Sequence, residues 1–163
     1  MIETERLILR EYTFDDFDAL YEIVSDPETM QHYPAPFDEE RTRGWITWNL
    51  ENYEKYGFGL WAVVLKETGE FIGDCGISIQ NIDGEMLPEI GYHIHKRYWR
   101  KGFGKEAARA ARDWVFEHTD FLDIVWIANA FEGIKIAVGL LILDAALTML
   151  KKQRKHGKNV SQT

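Results

Sequence analysis

Hydrophobic positions change period along the chain, and the changes divide it into elements. From Thr4 to Glu11 the pattern alternates around Leu7 and Leu9, the period of a strand. Thr13-Phe-Asp-Asp16 then has the form of a capping box with Asp in the place of Glu, and Phe14, Phe17, Leu20, Tyr21 and Val24 follow at helical spacing. That helix should end near Asp26-Pro27, because the residue before a proline is steered out of the helical region. After the breaker Tyr33-Pro-Ala-Pro36, Asp38 can cap a second helix that carries Trp45, Trp48, Tyr53 and Tyr56 and stops at Gly57. The aromatic stripe on this helix reads as packing rather than as a cofactor surface.

Gly59 to Lys66 is a nearly continuous apolar run, the signature of a buried strand, and Glu67-Thr-Gly-Glu70 turns it back into a strand over Phe71 to Gln80. Asn81-Ile-Asp-Gly84 supplies another turn. Pro88 to His95 then alternates with period two, so Ile90, Tyr92 and Ile94 share one face, expected to pack, and Glu89, Gly91, His93 and His95 share the other. Lys105 to His118 is amphipathic, with Ala107, Ala108, Ala111, Trp114 and Val115 on one side. Phe121 to Ala130 reads as a further strand. The order strand, glycine turn, helix, strand is βαβ-like, and ligands of such units bind beyond the carboxyl ends of the strands.

The glycine turn lies in that place. Gly102 and Gly104 allow a tight backbone path into the following helix, where successive N–H groups and the positive end of the helix dipole favour an anion. Lys96, Arg97, Arg100, Lys101, Lys105, Arg109 and Arg112 surround the turn, against the single acid Glu106. The whole chain carries a net charge of −8. A basic island in an acidic protein points to a small polyanion such as a phosphate or pyrophosphate and away from nucleic acid, whose binding surfaces spread positive charge over a wide face.

Composition narrows the class without changing this picture. With 163 residues, 45% hydrophobic and 28% charged, the chain has the size and make-up of a globular domain with a substantial core. The first thirty residues lack the apolar stretch of a signal peptide, so a cytoplasmic location is expected. Cys75 is the only cysteine, which excludes an internal disulfide and a thiol metal cluster, and it reads as a buried strand thiol. The acidic balance favours cationic substrates such as amines.

Two familiar phosphate motifs fit poorly. A Rossmann fingerprint needs glycine where Ala107 stands, and a P-loop needs Ser or Thr where Glu106 stands. Trp99-Arg-Lys-Gly-Phe-Gly104 instead resembles the acyl-CoA site of the GNAT N-acetyltransferase superfamily, with Trp99 at a position where Gln or Arg is usual. Thr4-Glu-Arg-Leu-Ile-Leu-Arg10, Ser25-Asp-Pro-Glu28 and Pro88-Glu-Ile-Gly-Tyr92 resemble, in the same order, the branch that acetylates the N-terminal alanine of ribosomal proteins. The resemblance implies an α/β (α+β) fold with a mixed, mostly antiparallel sheet, flanking helices and a splayed central strand pair.

It also implies roles. The backbone of Tyr92, His93, Ile94 and His95 would pair with the pantetheine arm of acetyl-CoA. Arg100, Lys101, Gly102, Phe103, Gly104 and Lys105 would take the pyrophosphate, and an N–H near Ile94 would stabilise the oxyanion. Transfer to the amine acceptor would be direct and need no metal. Glu89, at the start of the same strand, is the candidate base, acting directly or through water; the competing reading is a strand-end carboxylate that only pairs with a cation or meets solvent.

The last part departs from the family. A GNAT-like domain is expected over residues 1–131 and an atypical helical segment with a basic tail over 132–163, with the family's closing strands and its thiolate-protonating tyrosine replaced by one long helix from about Gly133 to Lys152. Asp144 interrupts the apolar run, so the helix is expected to pack on the domain or on a second copy of the chain rather than to span a membrane. Two readings stand beside the N-acetyltransferase: a catalytically weak acyl-CoA-binding or regulatory module, and a membrane-associated fusion product.

Overall fold

The computed structural model describes residues 1–82 and 85–119, the side chains of 81–87 excepted. The described part forms one compact unit, Met1–Thr119. The strand expected over 121–130, the splay beside it, the domain boundary at 131/132 and the long C-terminal helix with its packing on a second copy lie outside the described residues.

The opening segment is a hairpin rather than one strand: β1 is Ile2–Glu3 and β2 is Leu7–Arg10. Side-chain alternation does not reveal the turn between them, which Thr4 closes by accepting a hydrogen bond from the Leu7 N–H at 2.9 Å through its hydroxyl. The capping box at Thr13 and Asp16 forms as expected and leads through a short 3-10 turn into α1, Phe17–Val24. Arg10 grips the Asp16 carboxylate with two hydrogen bonds, at 2.8 and 2.7 Å. Helix α2 is Glu39–Tyr56; Asp38 accepts from the Arg41 N–H at 2.8 Å at its start, and Gly57 ends it in the left-handed conformation.

Strands β3 (Leu60–Leu65), β4 (Phe71–Ile82) and β5 (Glu85–Ile94) extend the sheet to five strands among the described residues, in chain order and with every pair antiparallel. The last two strands run closer together in sequence than turn chemistry suggested, in unbroken register from Gly73 opposite Ile94 to Ile82 opposite Glu85. Helix α3, Phe103–His118, starts two residues earlier than its amphipathic pattern.

The sheet is covered on both faces. Leu20, Ile23 and Val24 of α1 and Ile46 of α2 close on Tyr12, Met30, Phe37 and Ala62. On the opposite face α3 buries Phe103, Ala107, Ala111, Val115 and Phe116, with Trp114 edge-on to Trp61 at 5.3 Å. Register assigns Ala62, Asp74 and His93 to the α1/α2 face and Trp61, Cys75 and Tyr92 to the α3 face. Cys75 is buried, and burial followed by the Asp74 charge pushes its thiol pKa far up, as an inert strand thiol requires. Among the described residues no helix is long and apolar enough to cross a membrane.

Candidate active site

Two clamps from distant parts of the chain fix the junction between β5 and α3. Glu106, in the first turn of α3, accepts from the Thr4 hydroxyl at 2.5 Å, the Arg6 N–H at 3.0 Å and the Arg6 Nε–H at 2.7 Å, and Arg6 also donates to the Lys101 carbonyl at 3.0 Å. Burial works against the Glu106 charge, but these hydrogen bonds and the guanidinium outweigh it and hold the carboxyl below its ordinary value. On the other side Lys96 donates to Asp26 at 2.8 Å and reaches Glu28 at 3.3 Å. The Thr-Glu-Arg-Leu and Ser-Asp-Pro-Glu segments thus each anchor one end of the turn.

Between the clamps the backbone curls. Arg100 and Gly102 both take left-handed conformations, φ 61° and 82°; for Arg100 this is uncommon, as strained residues at binding sites often are. Gly102 has no side chain with which to cap α3, and the first backbone bond into the helix is Glu106 N–H to the Gly102 carbonyl at 3.0 Å. The N–H groups of Phe103, Gly104 and Lys105 therefore have no intrahelical acceptor. At Gly104 a Cβ would come within 3.3 Å of the Tyr92 ring, so glycine lets strand β5 lie close beside the helix start.

A cleft of about 500 Å³ is lined by the first residues of this helix. Of the residues expected at a cofactor site, Tyr92, His93, Ile94, Arg100, Gly102, Phe103, Gly104 and Lys105 line it, together with Thr29, Gln31, His32, Tyr33, Tyr98 and Trp99. Lys101 does not: its ammonium lies 5.2 Å from the Tyr98 ring centre. His95 is also outside, with its Nε2 3.3 Å from Glu22. Phe103 is itself buried, with the Arg6 guanidinium over its ring at 4.3 Å.

The basic island is smaller than a count of charges suggests. Lys96 is paired as above, Arg97 is bound to Glu70 and Arg112 to Asp113, whereas Arg100 and Lys105, both on the cleft wall, have no ion-pair partner among the described residues.

Strand β5 forms the other wall. It is the outer strand of the sheet among the described residues. The His95 N–H donates to the Ile72 carbonyl at 2.9 Å, so by antiparallel alternation the N–H groups of Tyr92 and Ile94 point away from β4, toward the outer edge. The Trp99 indole N–H donates to the Ile94 carbonyl at 2.6 Å, which ties the unusual first residue of the motif to the end of the strand. Glu89 is exposed, on the same face of β5 as His93 and opposite Ser78 of β4. It is not among the residues lining the cleft, though its charge is felt at Tyr33.

The two faces of β5 differ from expectation. Tyr92, expected to pack, is 57% exposed, whereas His93, expected on a polar face, is buried at 4%. The reason is Asp74 on the neighbouring strand. Its fully buried carboxylate accepts from the His93 N–H at 2.9 Å, Tyr12 Oη at 2.7 Å and Trp45 Nε1 at 2.9 Å, and His93 Nδ1 lies 2.8 Å away. His93 Nε2 lies 2.9 Å from Tyr33 Oη, and both residues line the cleft. Burial pushes the Asp74 carboxyl up, but the charge of His93 and hydrogen bonds from His93, Tyr12 and Trp45 hold it below its ordinary value. Burial likewise lowers the His93 pKa, and the charge and hydrogen bond of Asp74 outweigh that and raise it. Neither Asp74 nor Tyr33 stands out in the sequence as a site residue; the available signal was a lone acid inside the apolar run Phe71-Ile-Gly-Asp-Cys-Gly-Ile77.

An antiparallel sheet whose outer strand, among the described residues, leads through a left-handed glycine into an uncapped helix presents an anion-accepting helix start beside an open strand edge. Residues 6–132 match the family model described as an acetyltransferase (GNAT) domain, and the chain belongs to that family. It is 40% identical over 119 residues to the uncharacterized protein YkkB of Bacillus subtilis, covering 72% of this chain and 69% of that one. It is 32% identical over 126 residues to the uncharacterized N-acetyltransferase YnaD of the same organism, covering 76% and 70%. The crystal structure of an acetyltransferase from Agrobacterium tumefaciens superposes with a TM-score of 0.63 at 33% identity, over 71% of this chain and 66% of that one. The chain thus spans about two thirds of the length of its relatives, slightly less for that structure.

Proposed function

We propose that this protein transfers an acetyl group from acetyl-CoA directly to a primary amine, either a protein N-terminus or a small-molecule amine. The observation that carries the reading is the uncapped start of α3, whose first residues line the cleft beside Arg100 and Lys105, two cations without an ion-pair partner among the described residues. Such a helix end favours a pyrophosphate. The outward N–H groups of Tyr92 and Ile94 offer an edge to the amide groups of a pantetheine arm, as to an added strand, and the Ile94 N–H suits an oxyanion at the thioester carbon. Lys101 and His95 have a lesser part in this reading, since neither lines the cleft.

Glu89 remains the candidate base, taking the proton of the incoming ammonium through water, since it does not itself line the cleft. The chain's net charge of −8 favours a cationic acceptor. The test is release of free thiol from acetyl-CoA in the presence of peptides with a free N-terminal alanine or serine and of simple alkylamines. Amine-dependent release supports the reading; binding of acetyl-CoA without release under any of these conditions supports an acyl-CoA-binding module instead.

A further inference from the structure

We propose that Tyr33, His93 and Asp74 form a proton relay for acetyl transfer, in which the Tyr33 hydroxyl meets the reacting atoms and His93 and Asp74 act through it as positioning residues; this rests on the acetyl-transfer reading. The hydrogen bonds run in a line from core to cleft: Asp74 Oδ1 to His93 Nδ1 at 2.8 Å, then His93 Nε2 to Tyr33 Oη at 2.9 Å. A carboxylate only accepts, so the proton of the neutral imidazole lies on Nδ1 and Nε2 is left to accept from the Tyr33 hydroxyl. The oxygen of Tyr33 then turns its remaining lone pair toward the cleft it lines with Gly104, Lys105 and Ile94.

The arrangement is built rather than incidental. His93 is enclosed by the rings of Tyr33, Phe37 and Trp45, and among the described residues its polar contacts are with Asp74 and Tyr33. Asp74 is held in turn by Tyr12 and Trp45. The charged groups felt at the Tyr33 end are Asp74, Glu89 and Arg41; burial and the two acids raise the Tyr33 pKa, and Arg41 lowers it. A phenol that stays protonated suits a relay, which passes a proton through its oxygen without ionising.

The step balances. The neutral amine nitrogen attacks the thioester carbon; as the C–N bond forms, an N–H proton passes to Tyr33 Oη while the Tyr33 proton passes to His93 Nε2, leaving an imidazolium beside the Asp74 carboxylate. The C–S bond breaks with its electron pair on sulfur. The imidazolium returns its proton to Tyr33, whose other proton passes to the thiolate, giving the amide, free CoA thiol and the starting imidazole. Once the acceptor is neutral, the relay thereby supplies both the base and the acid of the transfer itself.

The experiment measures thiol release from acetyl-CoA by the full chain as a function of pH, with one acceptor, a hexapeptide with a free N-terminal alanine or benzylamine, used throughout so that its own ionisation cancels. Tyr33→Phe keeps the ring against Phe37 and alters a position that is 39% exposed, so it tests the hydroxyl without endangering the fold. It is expected to lower kcat about 100-fold with the KM for acetyl-CoA unchanged. The ratio of the His93→Gln rate to the wild-type rate is expected to rise as pH falls through the acid limb, whereas a merely structural role would lower the rate evenly at every pH. A Tyr33→Phe enzyme within twofold of wild type at every pH overturns the relay alone, as does a His93→Gln to wild-type rate ratio that stays flat across the acid limb. A wild type that releases no thiol with either acceptor overturns the acetyl-transfer reading and the relay with it.

Discussion

Replacing Asp74 by Asn tests the buried network with a change of almost no volume. The carboxylate is fully buried, and its two oxygens face Tyr12 Oη, Trp45 Nε1, the His93 N–H and His93 Nδ1 at 2.7–2.9 Å. An amide can present only one oxygen. Whichever way it turns, its NH2 faces a pair of donors, so two hydrogen bonds to a charged acceptor are lost, each about 1.5–3 kcal/mol, partly offset by removing a buried charge. We expect a net loss of about 3 kcal/mol, a large part of a typical domain stability of about 5–15 kcal/mol. Urea unfolding followed by tryptophan fluorescence reads it directly: with an m-value of about 1.5 kcal/mol per M the midpoint falls by about 2 M.

The pH dependence gives a second, signed check. Asp74 is held below its ordinary value, so its contribution is present above the unfolded pKa of about 3.9 and fades as pH falls through the folded value. His93 is held above its ordinary value, so its contribution is full below about 6.5 and fades as pH rises through the folded value. The stability difference between wild type and Asp74→Asn should therefore be greatest between about pH 4 and 6.5. A midpoint shift under about 0.3 M at pH 5.5, or a difference that grows steadily toward pH 9, refutes the reasoning.

Two further substitutions separate binding from chemistry. Glu89→Gln is expected to lower turnover about 100-fold, most visibly at low pH, with acetyl-CoA affinity nearly intact; superimposable rate profiles would remove Glu89 from the mechanism. Lys105→Glu should weaken acetyl-CoA binding about tenfold at low ionic strength and progressively less as salt is added, as charge screening requires, and Lys101→Glu should lose less because that ammonium lies over Tyr98 rather than on the cleft wall. Calorimetric titration at two salt concentrations checks both, and equal losses for the two variants would contradict the assigned cradle.

What the chain reveals by inspection follows from the range of each interaction. Helix starts and stops rest on neighbours a few residues apart, and Thr13 with Asp16, Asp38 and Gly57 act where their local chemistry put them. The glycine turn and the uncapped helix start were legible for the same reason. Charge partners were not: Arg97 meets Glu70 and Lys96 meets Asp26 and Glu28 across long stretches of chain, so counting cations overstated the island. Period two sorted β5 into faces but could not say which face is buried. Period two puts His93 on the polar face with Glu89, and a carboxylate from the neighbouring strand holds it inside, at the cleft. Tyr33 stood in a proline-rich breaker, where nothing local marks a residue that closes on a histidine 60 positions away.

The central claim is that acetyl-CoA lies along the outer edge of β5 with its pyrophosphate at the start of α3. Titrating acetyl-CoA into the 15N-labelled full chain tests it most directly, residue by residue. The account predicts that the amide signals of Gly102, Phe103, Gly104 and Lys105 shift together with those of Tyr92 and Ile94, saturating at one ligand concentration. Shifts confined to other residues while these six stay in place would contradict it.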